Sequence, residues 1–250
     1  MKIASFQLNG NVSYGVIANK EIILIEGDIF GDFVVTDTRI SLDEIKILPP
    51  VIPSKAVCVG LNYHDHIEET NSRLPESPVL FIKPSTAVIG HMDDIKYPEL
   101  SERVDYEGEL AVVIGKTARN ISANEAEEYI LGYTCSNDVT ARDLQPADGQ
   151  WTIAKSFDTF LPLGPCIETE VDPRNLEIRT YLNDELKQSS NTGHMIFDPY
   201  TLVSYVSKIM TLLPGDVILT GTPSGIGPMK KGDKVVVEIE SIGCLANYVK

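Results

Sequence analysis

Short stretches of alternating apolar and polar residues dominate this chain, the period of β-strands half buried in a sheet. "KIASFQL", "SYGVIA" and "EIILIEG" read as strands of a small N-terminal sheet, and the prolines at 49, 50 and 53 in "ILPPVIPS" mark its end. This predicts a small β domain over residues 1–53 and a main domain over 54–250. Further strands are expected at "AVCVGL", "PVLFIK", "YTCSNDV", "LGPCIE", "EIRTYLN", "DVILTG", "DKVVVEIE" and "CLANYV". Pro214-Gly215-Asp216 and Lys231-Gly232-Asp233 supply turns between the last of them.

Two helices break this pattern. Ser122 with Glu125 forms a capping box for a short helix that Gly132 closes. Asp198-Pro199 opens a second, with Leu202, Val203, Val206, Ile209, Met210 and Leu213 on one stripe and Pro214-Gly215 as its stop. Many strands with two helices predict a mainly β fold, a mixed sheet rolled or sandwiched, rather than a doubly wound one.

"VDYEGELAVVIG", Val104 to Gly115, carries the first chemistry. Asp105, Glu107 and Glu109 fall at every second position and so share one face of a strand, while Val104, Tyr106, Leu110, Val112 and Ile114 belong to a core. Like charges converging beside a core are destabilised unless a cation neutralises them. "GYTCSNDVTARD" is apolar or small until Asn137-Asp138, so a second strand ends in an acid. Glu107, Glu109 and Asp138 together offer three hard oxygen donors, a set suited to Mg²⁺ or Mn²⁺ with positions left for substrate oxygens. A zinc site would want Cys or His at short spacing, and nothing near His64 and His66 completes one.

Charge and composition narrow the partners. The net charge is −15, from 36 acidic and 21 basic residues, which argues against a nucleic-acid or anionic-membrane surface. No run approaches about 18 consecutive apolar residues, and the first ten residues have no secretory signal pattern. Cys58, Cys135, Cys166 and Cys244 stand singly among apolar neighbours and read as buried reduced thiols of a cytoplasmic protein.

Three other clusters bear chemistry. In "VGLNYHDHIEET", His66 and Glu69 are three apart, so one helical turn puts them on a common face, as a general base oriented by a carboxylate or as an acidic helix start. "TIAKSFDTF" sets Lys155 among apolar residues, where an ammonium needs an anionic partner or ligand. "LTGTPSGIGP" matches no nucleotide-binding fingerprint. It is a tight turn, or a turn offering backbone and Thr222 hydroxyl contacts to a substrate carboxylate.

Taken in order, "VGLNYHDHIEE", "PVLFIKPSTAVIG", "VDYEGELAVVIGK", "GYTCSNDVTARDLQ", "AKSFDTFLPLGP" and "LTGTPSGIGP" resemble the fumarylacetoacetate hydrolase family, in particular its short members such as acylpyruvases. The resemblance runs from about Ala56 to the C-terminus. It implies a mixed β-sandwich roll, a homodimer, and Mg²⁺ or Mn²⁺ held by Glu107, Glu109 and Asp138. It also implies Lys155 as the site lysine, Gly221 and Thr222 near the substrate, and His66–Glu69 as a dyad on a loop or short helix that orders over ligand. Arg142 offers a further carboxylate contact. Leu61 stands where some acylpyruvases carry Arg.

The implied substrate is a small 2-oxo acid chelating the cation. His66, oriented by Glu69, activates water to cleave a C–C bond of a 2,4-dioxo acid, and Lys155 and the cation stabilise a pyruvate enolate. The same machinery serves a hydroxy-dienedioate isomerase or an oxaloacetate decarboxylase. A catalytically idle, metal-binding dimer is the reading from another class.

Overall fold

The computed structural model describes residues 1–147 and 149–250. The fold is mainly β with few helices, and its strands form three sheets. The largest runs, in spatial order, Phe33–Ser41, Glu21–Gly27, Asn11–Ala18, Lys2–Leu8, Leu161–Glu168, Ile130–Asn137, Gly108–Ile114, Val217–Leu219, Ala56–Gly60 and Val79–Lys83. A three-stranded sheet joins Thr140–Ala141, Val104–Tyr106 and Gly227–Met229. A five-stranded sheet joins Glu185–Asn191, Glu177–Leu182, Lys234–Ile239, Gly243–Val249 and Asp94–Ile95. The parallel pairs Val217–Leu219 with Ala56–Gly60 and Gly243–Val249 with Asp94–Ile95 make the larger two mixed.

The strand Gly108–Ile114 is the centre of the packing. Leu110, Val112 and Ile114 face one core, shared with Ile178 and Val237 of the five-stranded sheet and with Leu202, Val203 and Val206. Ala111 and Val113 face a second core with Leu163, Ile167 and Val217. A strand buried on both faces explains why "LAVVI" is continuously apolar rather than alternating. The N-terminal strands extend this large sheet, because Lys2 and Ile3 pair with Glu168 and Ile167.

Three helices are labelled here: α1 (His64–Glu69), α2 (Thr152–Lys155) and α3 (Pro199–Ile209). The last is the helix expected from Asp198-Pro199: Asp198 caps the Tyr200 and Thr201 N–H groups, and Leu202, Val203 and Val206 are buried. It ends at Ile209, earlier than Pro214, and Leu213 is exposed. The expected helix after Ser122 is different. Ser122 and Glu125 do bond, at 2.6 and 3.0 Å, but only a 3₁₀ turn over Ala126–Tyr129 follows, and Gly132 lies inside the strand Ile130–Asn137. Gly132 is needed there because a Cβ would sit 2.5 Å from Glu168 O of the paired strand. Cys244 also departs from expectation: it is exposed, whereas Cys58, Cys135 and Cys166 are buried.

Leu110→Ala should cost about 3 kcal/mol in urea unfolding, since its side chain is fully enclosed between two sheets. Leu100→Ala, at a residue 76% exposed, should stay within about 0.5 kcal/mol.

Candidate active site

The apparently continuous strand around Glu107 is broken. Val104–Tyr106 belongs to the three-stranded sheet and Gly108–Ile114 to the large one, so the chain changes sheets at Glu107. Off the ladder, Glu107 N–H donates to Asn137 Oδ1 at 2.9 Å and its carbonyl accepts from Asp138 N–H at 2.8 Å. Gly108 pairs with Asn137, which sets Asp138 at the end of the neighbouring strand. Ligand oxygens of Glu107, Glu109 and Asp138 lie within 4.8 Å of one another, and all three residues are buried. Asp105 points elsewhere: its carboxylate takes two bonds from Arg103, at 2.9 and 3.1 Å, and one from Arg142 at 2.9 Å.

Cations interleave the acids. Lys155 Nζ donates to Glu107 Oε2 at 2.9 Å and Asp138 Oδ2 at 2.6 Å. Arg142 pairs with Glu107 Oε1, and Lys83 with Asp138 Oδ1 and, at 2.9 Å, with Val139 O. Burial pushes Glu107 up, but Lys155 and Arg142 outweigh it and hold the carboxyl well below its usual range. Glu109 has the opposite fate. Burial, then Asp138 and Glu107, push it well above the usual range. Among the described residues its side chain takes one hydrogen bond, from Gly221 N–H at 2.7 Å. Burial lowers Lys83 despite Asp138, whereas Asp138 and Glu107 keep Lys155 raised against burial.

The second group arrives from α1. His66 Nδ1 lies 3.2 Å from Glu69 Oε2, the spacing that i, i+3 residues reach on one turn, and His66 is buried. The turn after Thr220 closes beside it. Gly221, at φ +96°, leaves no room for a Cβ, which would lie 2.8 Å from Asn62 Cβ. Thr222 Oγ1 donates to Gly108 O at 3.0 Å. A cavity of about 620 Å³ brings His66, Glu69, Glu107, Glu109, Asp138, Arg142, Lys155 and Thr222 to one wall system. Of the expected residues, Gly221 alone is not on that wall, giving its N–H to Glu109 instead.

With this geometry in place, the chain can be compared with known proteins. Residues 55–250 match the family described as fumarylacetoacetate (FAA) hydrolase C-terminal, and residues 1–50 match Rv2993c-like, N-terminal. The chain belongs to the fumarylacetoacetate hydrolase family. The mitochondrial oxaloacetate tautomerase Fahd2a of Rattus norvegicus is 46% identical over 218 residues, 82% of this chain and 70% of that protein. The structure of 2-hydroxyhepta-2,4-diene-1,7-dioate isomerase from Mycobacterium marinum is 43% identical with a TM-score of 0.93, covering 100% of this chain and 98% of that one. Maleylpyruvate hydrolase from Sphingobium sp. SYK-6 is 30% identical with a TM-score of 0.83, covering 100% and 99%. The chain is thus an enzyme of this superfamily, whose similar members carry out different reactions. No helix among the described residues is long and apolar enough to cross a membrane.

The donor set fits a divalent cation in this family's style. It is all carboxylate, closely spaced and buried, and among the described residues Glu109 has no ion-pair partner of its own. Sequence reasoning overlooked Lys83, which in "VLFIKP" carries the same signal as Lys155, an ammonium in an apolar run. It also overlooked Trp151, the sole tryptophan, which lines the cavity and packs edge-on to Phe81 at 5.3 Å. Gly60 permits that packing, since a Cβ would meet Trp151 at 2.6 Å.

A group with a raised folded pKa keeps its proton in the folded state, so stability falls as pH rises from a glutamate's usual 4.5 toward the value of Glu109. Glu107 runs oppositely, its contribution present above 4.5 and lost as pH falls toward its depressed value. Mn²⁺ binding relieves the Glu109 penalty, so the Mn²⁺-induced rise in Tm should be larger at about pH 8 than at about pH 5 and vanish with EDTA. Equal shifts at both pH values, or none, would count against the cluster as a cation site.

Proposed function

We propose that this enzyme acts on a small 2-oxo acid by proton transfer at the carbon next to the oxo group, interconverting keto and enol forms of a 2-oxo dicarboxylic acid. The observation that carries this reading is one cavity wall holding both the Glu107–Glu109–Asp138 cluster and the His66–Glu69 pair. Glu107, Glu109 and Asp138 would hold Mg²⁺ or Mn²⁺, which would supply Lewis acidity toward the oxo group of the substrate. The chain's own residues do the rest. Glu69 holds His66 Nδ1, so Nε2 is the nitrogen that takes the proton from carbon and returns it. Lys155 pairs with Glu107 and Asp138, holding the Glu107 carboxyl low, and adds positive charge where the enolate oxygen develops. Arg142 fixes Glu107, and Arg103, half-exposed on the cavity wall, offers a cation to the second carboxylate. The names of the relatives at 46% and 43% identity, a tautomerase and an isomerase, support this order of preference.

Hydrolysis of a 2,4-dioxo acid is the second reading, favoured by the same free Nε2. His66 would take a proton from water, whose oxygen adds to the distal carbonyl. The C–C bond then breaks with its electrons passing to the pyruvate enolate, which is reprotonated. A homodimer, a cytoplasmic setting and a division at residues 53 and 54 belong to this proposal on family resemblance and sequence alone.

The test follows the ultraviolet absorbance of enol-oxaloacetate and of acetylpyruvate with Mn²⁺ or EDTA. Metal-dependent loss of the enol signal without release of pyruvate is expected. His66→Ala and Glu107→Ala should each lower the rate by about 100-fold or more. Acetylpyruvate consumption alone would move the assignment to hydrolase, and rates indifferent to metal and to both substitutions would refute both readings.

A further inference from the structure

Glu69 serves two partners at once. Its Oε2 faces His66 Nδ1, while its Oε1 accepts the Gly225 N–H at 3.0 Å. The imidazole is therefore oriented by a carboxylate that is itself held by the backbone of the turn following Thr222. That turn is tightly fixed. Gly225, at φ +97°, packs on the strand Glu185–Asn191 so closely that a Cβ would lie 2.1 Å from Lys187 O, and its carbonyl accepts from Tyr106 Oη at 3.0 Å.

The next residue of that strand, Gln188, is 1% exposed, and its amide makes three hydrogen bonds with both N–H donors and the oxygen engaged. Its Oε1 accepts the Gly108 N–H, between Glu107 and Glu109, at 2.9 Å. Its Nε2 donates to Thr222 Oγ1 at 2.7 Å and to Pro223 O at 2.9 Å. One side chain thus grips both the backbone carrying the acidic cluster and the turn holding Glu69. A buried amide tied by its oxygen to one segment and by both N–H groups to another couples the two, so the grips are not independent.

We propose that Gln188 is a positioning residue: through the Thr222–Gly225 turn and Glu69 it sets where the His66 imidazole stands relative to Glu107, Glu109 and Asp138. This rests on the reading of His66 as the proton-transfer group. Proton transfer is sensitive to such placement, since a misplacement of about 1 Å can cost on the order of 100-fold.

Gln188→Met keeps the length of the side chain and removes its hydrogen bonds. The expected result is a fall in kcat of about tenfold or more with KM within about twofold, and Mn²⁺ affinity by paramagnetic resonance within about twofold. Amide hydrogen exchange at Gly225 should quicken by about tenfold, because the turn that presents its N–H to Glu69 is no longer held by Gln188. In a Glu69→Ala background, where the path is already cut, Gln188→Met should add less than about twofold. The proposal is overturned by unchanged exchange at Gly225, by a loss that multiplies fully with Glu69→Ala, or by Mn²⁺ affinity falling as far as kcat. If Gln188→Met does not fold, Gln188→Asn, one methylene too short to reach both sides, carries the same comparisons. Should the unaltered enzyme turn over no 2-oxo acid, the proposed function fails by itself, and exchange at Gly225 still decides whether Gln188 holds the turn.

Discussion

Burying negative charge in an apolar interior is the constraint around which this fold is arranged. Asp105, Glu107, Glu109 and Asp138 are all removed from water, and each carboxylate ionised there loses roughly several kcal/mol of hydration, which only a partner can offset. Arg103, Arg142, Lys155 and Lys83 answer three of them directly, and among the described residues Glu109 receives only a backbone amide. The ladder of hydrogen bonds gives way at Glu107 and the strand changes sheets there, which lets these acids face cations from four separate chain segments. Apolar packing supplies the frame, since both faces of Gly108–Ile114 are enclosed and the carboxylates cannot swing out to solvent.

Much of this was legible in the sequence, for identifiable reasons. Short β-branched runs such as "AVCVG" and "VVVEI" read as strands, and Asp198-Pro199 fixed the start of the long helix. Spacing alone put His66 and Glu69 on one turn, and alternation put Glu107 and Glu109 on one side. The break at Glu107 was not legible, because a strand that changes sheets keeps the same period as one that does not. Phe33–Ser41 escaped notice because it is largely exposed on both faces and shows no alternation. Glu185–Asn191 escaped because "ELKQSSN" is polar apart from Leu186, although Asn183 and Asp184, both at positive φ, form the kind of hairpin turn that announces a strand pair. Ser122 misled because a capping box satisfies the first amides of any helical turn, and here only a 3₁₀ turn follows.

The site residues divide along the same line. Carboxylates and the dyad are visible as charges out of place in apolar context, whereas Gln188, neutral and in a polar stretch, gives no local sign of its partners eighty and thirty-four residues away. Side chains that join distant segments are invisible to any reading confined to neighbours.

The sheet change at Glu107 has a mechanical meaning. Tyr106 ends the small-sheet strand, Gly108 begins the large-sheet one with Glu107 at the joint between them, and the Gly108 amide is tied to the five-stranded sheet by Gln188. All three sheets therefore meet within three consecutive residues. An ion held by both glutamates would act as a rivet at that joint, and any slip of one sheet against another would register there as a change in the spacing of its ligands.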